Sequence, residues 1–90
     1  MDINTKVQIP SSVFIQEVDN EVIILDTITE EYFSINEVGK DIWDLISKNQ
    51  SLKAIKEELS LVYEIDEKQL EVDILNFIKA LNEKGLINID

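Results

Sequence analysis

The hydrophobic pattern of this chain changes its repeat near residue 36, and that change limits the fold more than any other feature of the sequence. Before it, β-branched and aromatic residues stand in short runs typical of strands; after it, apolar residues recur at helical spacing. The ninety residues include two glycines and one proline and show no internal repeat. We therefore expect a single domain over residues 1–90, with residues 1–10 as a candidate flexible segment.

Three strands are predicted in the first part of the chain. The runs 13–18 and 21–26 flank Asp19-Asn20, two residues that tolerate positive φ, and so predict a tight hairpin. A third, short strand, Tyr32 to Ile35, leads directly into a helix, which favours a position at the edge of the sheet. An unpaired edge is a template for another strand. Alternatively, the C-terminal tail or a second copy of the chain covers that edge.

Three helices are predicted in the second part, and each has a start signal. Asn36, Ser51 and Asp66 are residue types that commonly cap helix N-termini. Gln69, three residues after Asp66, makes the last of these resemble a capping box. Gly85 supplies the usual glycine just past the end of a helix, and it predicts the end of the third one.

The third helix, expected over residues 67–84, has a wide apolar face. A stripe at core-packing spacing is formed by Leu70, Ile74, Phe77 and Leu81. Leu75 and Ile78 widen this face beyond what one side of a bundle needs. The width indicates either a central, buried helix or a helix with one flank lining a groove beside the third strand.

The order of the elements predicts an α+β domain of the winged helix-turn-helix-like kind, with three N-terminal β-strands followed by a three-helix bundle. Such domains often bind DNA, but the charge argues against a nucleic-acid partner. The chain has 19 acidic residues against 8 lysines, no arginine and a net charge of −11, whereas affinity for nucleic acid comes from neutralising phosphates. A winged-helix transcription regulator and another protein–protein adaptor stay as alternative functions.

The side-chain inventory excludes several kinds of active site. The absence of Cys and His excludes disulfides, zinc sites and thiol or imidazole catalysis. The isolated Gly39 and Gly85 form no phosphate-binding loop, so we expect no enzyme activity, no catalytic residue, no metal and no cofactor. The longest apolar run, residues 22–25, is too short to span a membrane. With no visible signal peptide, a cytoplasmic location without a membrane partner is expected.

The order and spacing of many residues resemble the PqqD-like family. The similarity extends over about residues 7 to 87, and its stretches are 22–26, 32–36, 39, 42–45, 55, 59, 63–66 and 73–86. Members of this family are RiPP recognition elements, small domains that bind the leader segment of a ribosomally made precursor peptide. The chain departs from the family at Glu31, where members often carry glycine before the third strand.

The resemblance implies a binding site and partners. The leader would add as a strand to the third strand and lie in a groove against the third helix. The implied partners are the precursor leader peptide and a modifying enzyme, which is a leader protease or cyclase in lasso-peptide synthesis or a radical-SAM enzyme. The candidate peptide-binding residues are Glu31, Tyr32, Phe33, Ser34, Ile35, Asp73, Ile74, Phe77, Ile78 and Leu81.

Overall fold

The structure, a computed structural model, describes residues 2–89. Its elements in chain order are β1 (Val7–Gln8), β2 (Val13–Val18), β3 (Glu21–Asp26), β4 (Tyr32–Ile35), α1 (Glu37–Ser47), α2 (Leu52–Tyr63), α3 (Glu67–Glu83) and β5 (Asn88–Ile89). The predicted α+β class, with three strands followed by three helices, is confirmed. The two-residue strands β1 and β5 were not predicted from the sequence.

Strands β2, β3 and β4 form one antiparallel sheet in that order. Asp19 and Asn20 connect β2 to β3 with φ angles of 49° and 69°. Two successive residues with positive φ match the right-handed twist of the strands that they join. The predicted tight hairpin is therefore confirmed, and β4 has β3 as a neighbour on one side.

The short strands β1 and β5 pair with each other, away from the larger sheet. Val7 lies opposite Ile89, and Gln8 lies opposite Asn88. This pairing places part of the segment 1–10 in a strand. It also shows that the suggestion of a C-terminal tail covering β4 is wrong, because the tail strand pairs with β1.

Side chains cap two of the three helices as predicted. Asn36 Oδ1 accepts a hydrogen bond from the Gly39 N–H at 2.8 Å, and Ser51 Oγ accepts one from the Ala54 N–H at 3.1 Å. The predicted capping box of α3 is wrong, because the Asp66 side chain makes no capping bond. The Gln69 amide instead donates to Asp73 Oδ1, one turn farther along the helix, at 3.0 Å.

The end of α3 is closed by a glycine motif. Gly85 has a φ of 73°, and its N–H donates to the Asn82 carbonyl at 3.0 Å. The Leu86 N–H donates to the Leu81 carbonyl, also at 3.0 Å. This is the Schellman arrangement, in which the contact between the two leucines is apolar; both of their side chains are buried. The predicted glycine stop at Gly85 is confirmed. The helix itself ends at Glu83, one residue before the expected end at residue 84.

The core lies between the inner face of the sheet and the three helices. Its buried apolar side chains are Val13, Ile24, Ile42, Trp43, Ile46, Leu52, Ile55, Leu59, Leu70, Ile74, Ile78, Leu81, Leu86 and Ile87.

The Tyr63 hydroxyl at the end of α2 donates to Asp41 Oδ2 on α1. This hydrogen bond, together with burial, raises the pKa of Tyr63 to about 12. Within residues 2–89, every helix is too short or too polar to cross a bilayer.

Candidate functional site

Strand β4 is an edge strand whose outer side is unpaired within residues 2–89. The Asp26 N–H donates to the Glu31 carbonyl at 2.9 Å, which marks a hydrogen-bonded pair between β3 and the start of β4. Hydrogen-bonded pairs alternate along an antiparallel ladder, so the main-chain N–H and C=O groups of Tyr32 and Ser34 point away from β3. These groups are a template to which another strand can add.

The two faces of β4 differ in character. Phe33 and Ile35 are half-buried and pack against the core on the helix side. Tyr32 and Ser34 lie on the opposite face, where 58% of Tyr32 is exposed and the Ser34 hydroxyl donates to Glu21 Oε1 at 2.6 Å. A strand added to β4 would continue this alternation, with every second side chain facing the helices.

Asp26 holds the loop that leads into β4. Its Oδ1 accepts hydrogen bonds from the N–H groups of Ile28 at 2.8 Å and Thr29 at 3.4 Å. The Thr29 hydroxyl oxygen in turn accepts from the Glu31 N–H at 3.2 Å. Glu30, with a φ of 65°, turns the chain into the strand. Asp26 is therefore a buried anchor for the start of the edge strand.

Removing this anchor should lower stability in a pH-dependent way. The Ile28 N–H is the main group that holds the pKa of Asp26 below its usual value of 3.8, against the opposing effect of burial. A carboxylate with a lowered folded pKa stabilises the fold above its unfolded pKa, and that contribution is lost as the pH falls through the folded pKa. We expect Asp26→Ala to lower the urea midpoint of unfolding at pH 7. The difference in midpoint between the native protein and this variant should become smaller as the pH falls towards 3.

The matched variant for this test is Asp26→Asn, which keeps an acceptor oxygen for the loop but carries no charge. We expect its urea midpoint at pH 7 to lie between those of the native protein and Asp26→Ala. A gap between native and Asp26→Ala protein that stays constant from pH 7 to pH 3 would mean that the Asp26 charge contributes nothing to the loop.

An aromatic pair stands in the cleft between β4 and α3. The rings of Phe33 and Phe77 meet edge to face, with centroids 6.2 Å apart and planes at 67°. A cavity of about 480 Å³ on the Phe33 side, called here the charged cavity, is lined by Glu31, Phe33, Ala80, Glu83 and Lys84. A cavity of about 250 Å³ on the Phe77 side, called the apolar cavity, is lined by Asn36, Val38, Gly39, Ile42, Ile65, Asp73 and Phe77. The two cavities, one lined by Phe33 and the other by Phe77, are together called the groove here.

The two ends of this groove differ in electrostatics. The charged cavity places two carboxylates, Glu31 and Glu83, beside the ammonium group of Lys84. The apolar cavity has one carboxylate at its rim, Asp73, among mainly apolar walls. Among residues 2–89, no group of three acidic side chains is placed to hold a metal ion. The groove and the unpaired main-chain groups of β4 are suited to binding an extended chain.

The structure separates the predicted site residues into two sets. All five residues of the β4 segment lie at the edge or the groove, and Asp73 and Phe77 line the apolar cavity. Ile74, Ile78 and Leu81 are each 0% exposed. Their prediction as groove-lining residues is corrected, because a side chain with no accessible surface supports the groove from beneath without contacting a ligand.

The sequence prediction missed residues that line each of the two cavities. Ala80, Glu83 and Lys84 line the charged cavity, and Val38 and Ile65 line the apolar cavity. A signal for part of this set is present in the sequence. Asp73, Phe77, Ala80 and Lys84 recur at spacings of four, three and four residues, which places them on one helical face. That face lies next to the more apolar core stripe.

Comparisons with known proteins agree with this fold. The family model for coenzyme PQQ synthesis protein D matches residues 21–87. The structure of TbiB1 in complex with the TbiA(beta) leader peptide is 30% identical in sequence, with a TM-score of 0.80 over 90% of this chain and 94% of that chain. Lasso peptide synthetase B1 complexed with the leader peptide is 20% identical, with a TM-score of 0.82 over 92% and 98%, and shows the shared fold. The search of curated proteins gave no match.

Proposed function

Because this chain belongs to the coenzyme PQQ synthesis protein D family, we propose that it binds the leader segment of a ribosomally made precursor peptide and presents the core peptide to a modifying enzyme. The observation that carries the proposal is the unpaired outer edge of β4 beside a groove on α3. The 30%-identical TbiB1 structure, a complex with a leader peptide, supports it. In this role the chain contributes recognition and no chemical step.

The leader would bind by adding a strand to β4. Tyr32 and Ser34 each offer one N–H and one C=O, and each hydrogen bond contributes about 0.5–1.5 kcal/mol. Four such bonds amount to roughly 2–6 kcal/mol, whereas micromolar to nanomolar binding requires about 8–12 kcal/mol. The remaining free energy would come from apolar leader side chains that enter the groove beside Phe33 and Phe77.

The modifying enzyme is a leader protease or cyclase in lasso-peptide synthesis, or a radical-SAM enzyme, as the family resemblance implies. In either setting the enzyme acts on the precursor peptide while this chain holds the leader segment. A cytoplasmic location is part of the same proposal.

The binding site can be mapped by amide chemical shifts. Titrating ¹⁵N-labelled protein with a synthetic leader peptide of a precursor from the same organism should shift the amides of Glu31 to Asn36 most strongly. A second group of shifts should follow the groove face of α3, at Asp73, Phe77, Ala80 and Lys84. Trp43 is buried on α1, so its fluorescence should change little. Shifts concentrated on α2, or no shifts at micromolar to millimolar leader, would contradict the proposal.

Leader association should depend on salt through the on-rate. The net charge of −11 and the carboxylates Glu31 and Glu83 at one end of the groove favour a leader that carries basic residues. Charge attraction speeds encounter and is screened within a Debye length of about 8 Å at 0.15 M salt. Stopped-flow measurements should therefore show the on-rate falling as salt rises past ~0.15 M, with a nearly constant off-rate. An on-rate indifferent to salt would mean that the negative charge does not steer the leader.

A further inference from the structure

The sheet formed by β2, β3 and β4 has a second face, which points away from the helices. Side chains directly opposite each other on neighbouring strands share a face. Phe14 pairs with Leu25, and Leu25 pairs with Tyr32, so these three side chains form one row across the sheet. Alternate positions along each strand continue the same side. This side is called here the exposed face, and it consists of Phe14, Gln16, Val18, Glu21, Ile23, Leu25, Tyr32 and Ser34.

The exposed face is more apolar than the solvent side of an antiparallel sheet commonly is. Such a sheet usually alternates apolar residues towards the core with polar residues towards water. Here Phe14 is 54% exposed and Val18 is 49% exposed, and Tyr32 is exposed to a similar degree. Leu25 and Ile23 are half-buried, and within residues 2–89 neither packs against the core. A contiguous apolar patch with exposed aromatic side chains is typical of a surface that binds another protein.

The charges around the exposed face all have one sign. Glu21 lies on the face, Asp19 lies in the hairpin turn, and Glu30 and Glu31 precede β4. Lys40 of α1 reaches the sheet only through Glu17, at 3.6 Å, and Glu17 points to the helix side. A second copy of the chain would bring the same carboxylates to the contact, and like charges disfavour it. A partner with lysine and arginine around an apolar surface is complementary instead.

The exposed face is continuous with the proposed leader site. The side chains of Tyr32 and Ser34 lie on this face, while their main-chain N–H and C=O groups point away from β3 towards the position of an added strand. A leader strand on β4 would place every second side chain on the same face, beside Tyr32. A protein bound there would therefore contact this domain and the leader together.

We propose that the exposed face is the docking surface for the modifying enzyme, which binds it through apolar side chains surrounded by lysine and arginine. This inference rests on the proposed leader binding and adds the surface through which the enzyme is recruited. Because the bound leader extends the face, the enzyme binds the complex with leader more tightly than the domain alone.

The test measures binding of purified enzymes by surface plasmon resonance. The probes are the leader protease, cyclase and radical-SAM enzymes of the same organism, each added to the protein with and without a leader peptide. One of these enzymes should bind native protein, and Phe14→Ser should weaken that binding at least about tenfold. Leader affinity of Phe14→Ser should stay native, because β3 separates Phe14 from β4. The matched control is Leu61→Ser, which removes an exposed apolar side chain from α2 and should change neither affinity.

A pair of charge variants tests the same face without removing an apolar group. Gln16 is exposed beside Ile23 on the exposed face, so both Gln16→Lys and Gln16→Glu should fold. Gln16→Lys should weaken enzyme binding, because a cation would face the basic residues of the partner, whereas Gln16→Glu should bind at least as well as native protein. Circular dichroism checks that each variant is folded, and the charge pair decides the matter if Phe14→Ser does not fold.

Each contrary result has its own meaning. If native protein binds the leader but none of the enzymes, or if folded Phe14→Ser and Gln16→Lys bind the enzyme as native protein does, the docking surface is wrong and leader binding stands. If sedimentation velocity shows that native protein self-associates at micromolar concentration and Phe14→Ser does not, a second copy covers the face and the inference is wrong. If native protein binds no leader, the proposed function itself is wrong.

Discussion

Replacing Ser34 by proline is expected to weaken leader binding about 10–100-fold while the protein stays folded. The Ser34 N–H points away from β3, so a proline there removes no hydrogen bond from the β3–β4 ladder. Proline is tolerated on edge strands when its missing N–H would have faced solvent. The outer edge, however, loses a main-chain donor and gains a ring where the leader strand would lie. The missing N–H removes one main-chain hydrogen bond, and the ring holds the leader strand away from a second. At about 0.5–1.5 kcal/mol for each bond, the two together cost about 1–3 kcal/mol, which corresponds to the stated loss of affinity.

The matched control for this prediction is Ser34→Ala. It removes the hydroxyl that donates to Glu21 Oε1 at 2.6 Å but keeps the main-chain N–H. Isothermal titration calorimetry with the leader peptide should give near-native affinity for Ser34→Ala and a large loss for Ser34→Pro. Equal affinities for the two variants, with both folded by circular dichroism, would show that the leader does not add to the outer edge of β4.

Among the variants proposed here, Ile78→Ala should lower stability most, with a loss of about 2–5 kcal/mol in the free energy of unfolding. Ile78 is 0% exposed in the core, so the removed atoms leave a cavity as well as losing apolar burial. A small domain is stable by only about 5–15 kcal/mol, and the variant should therefore unfold at markedly lower urea. Equilibrium urea denaturation of both proteins measures the difference.

Leader affinity distinguishes this core role from the groove role that the sequence suggested. Measured well below the unfolding midpoint, the affinity of Ile78→Ala should stay close to that of native protein, because Ile78 has no surface to offer a ligand. Val72→Ala, a truncation at an exposed position of α3, should change neither quantity by much. If Ile78→Ala is as stable as the native protein but binds the leader weakly, Ile78 lines the groove and the core role is wrong.

Local chemistry in the sequence was enough to predict most of the elements. The hairpin at Asp19-Asn20, the caps at Asn36 and Ser51, and the stop at Gly85 all depend on residues within a few positions of each other. Each of these signals acts through the backbone conformation or hydrogen bonds of its own segment. The capping box at Asp66 was wrong: the Asp66 side chain makes no capping bond, and the Gln69 side chain, which would complete the box, donates instead to Asp73.

The placement of the short terminal strands could not be read from the sequence. β1 and β5 are two residues each and lie at opposite ends of the chain. Runs this short carry no periodicity, and their pairing depends on the rest of the fold bringing the two ends together. Because β5 is paired with β1, the outer edge of β4 stays open within the described residues, and only the assembled fold decides that.

The candidate site shows the same division between sequence and tertiary structure. The sequence by itself determined that β4 is followed directly by a helix and that α3 is amphipathic. Both can be predicted because the spacing of apolar residues differs between strands and helices. It did not determine which stripe of α3 faces the groove. Successive residues on a helix are about 100° apart, so Phe77 and Ile78 lie on neighbouring faces, and both are apolar. Packing against the sheet and the other helices buries Ile78 completely and leaves Phe77 beside Phe33 in the groove, because only one of two adjacent stripes can face the centre of the core.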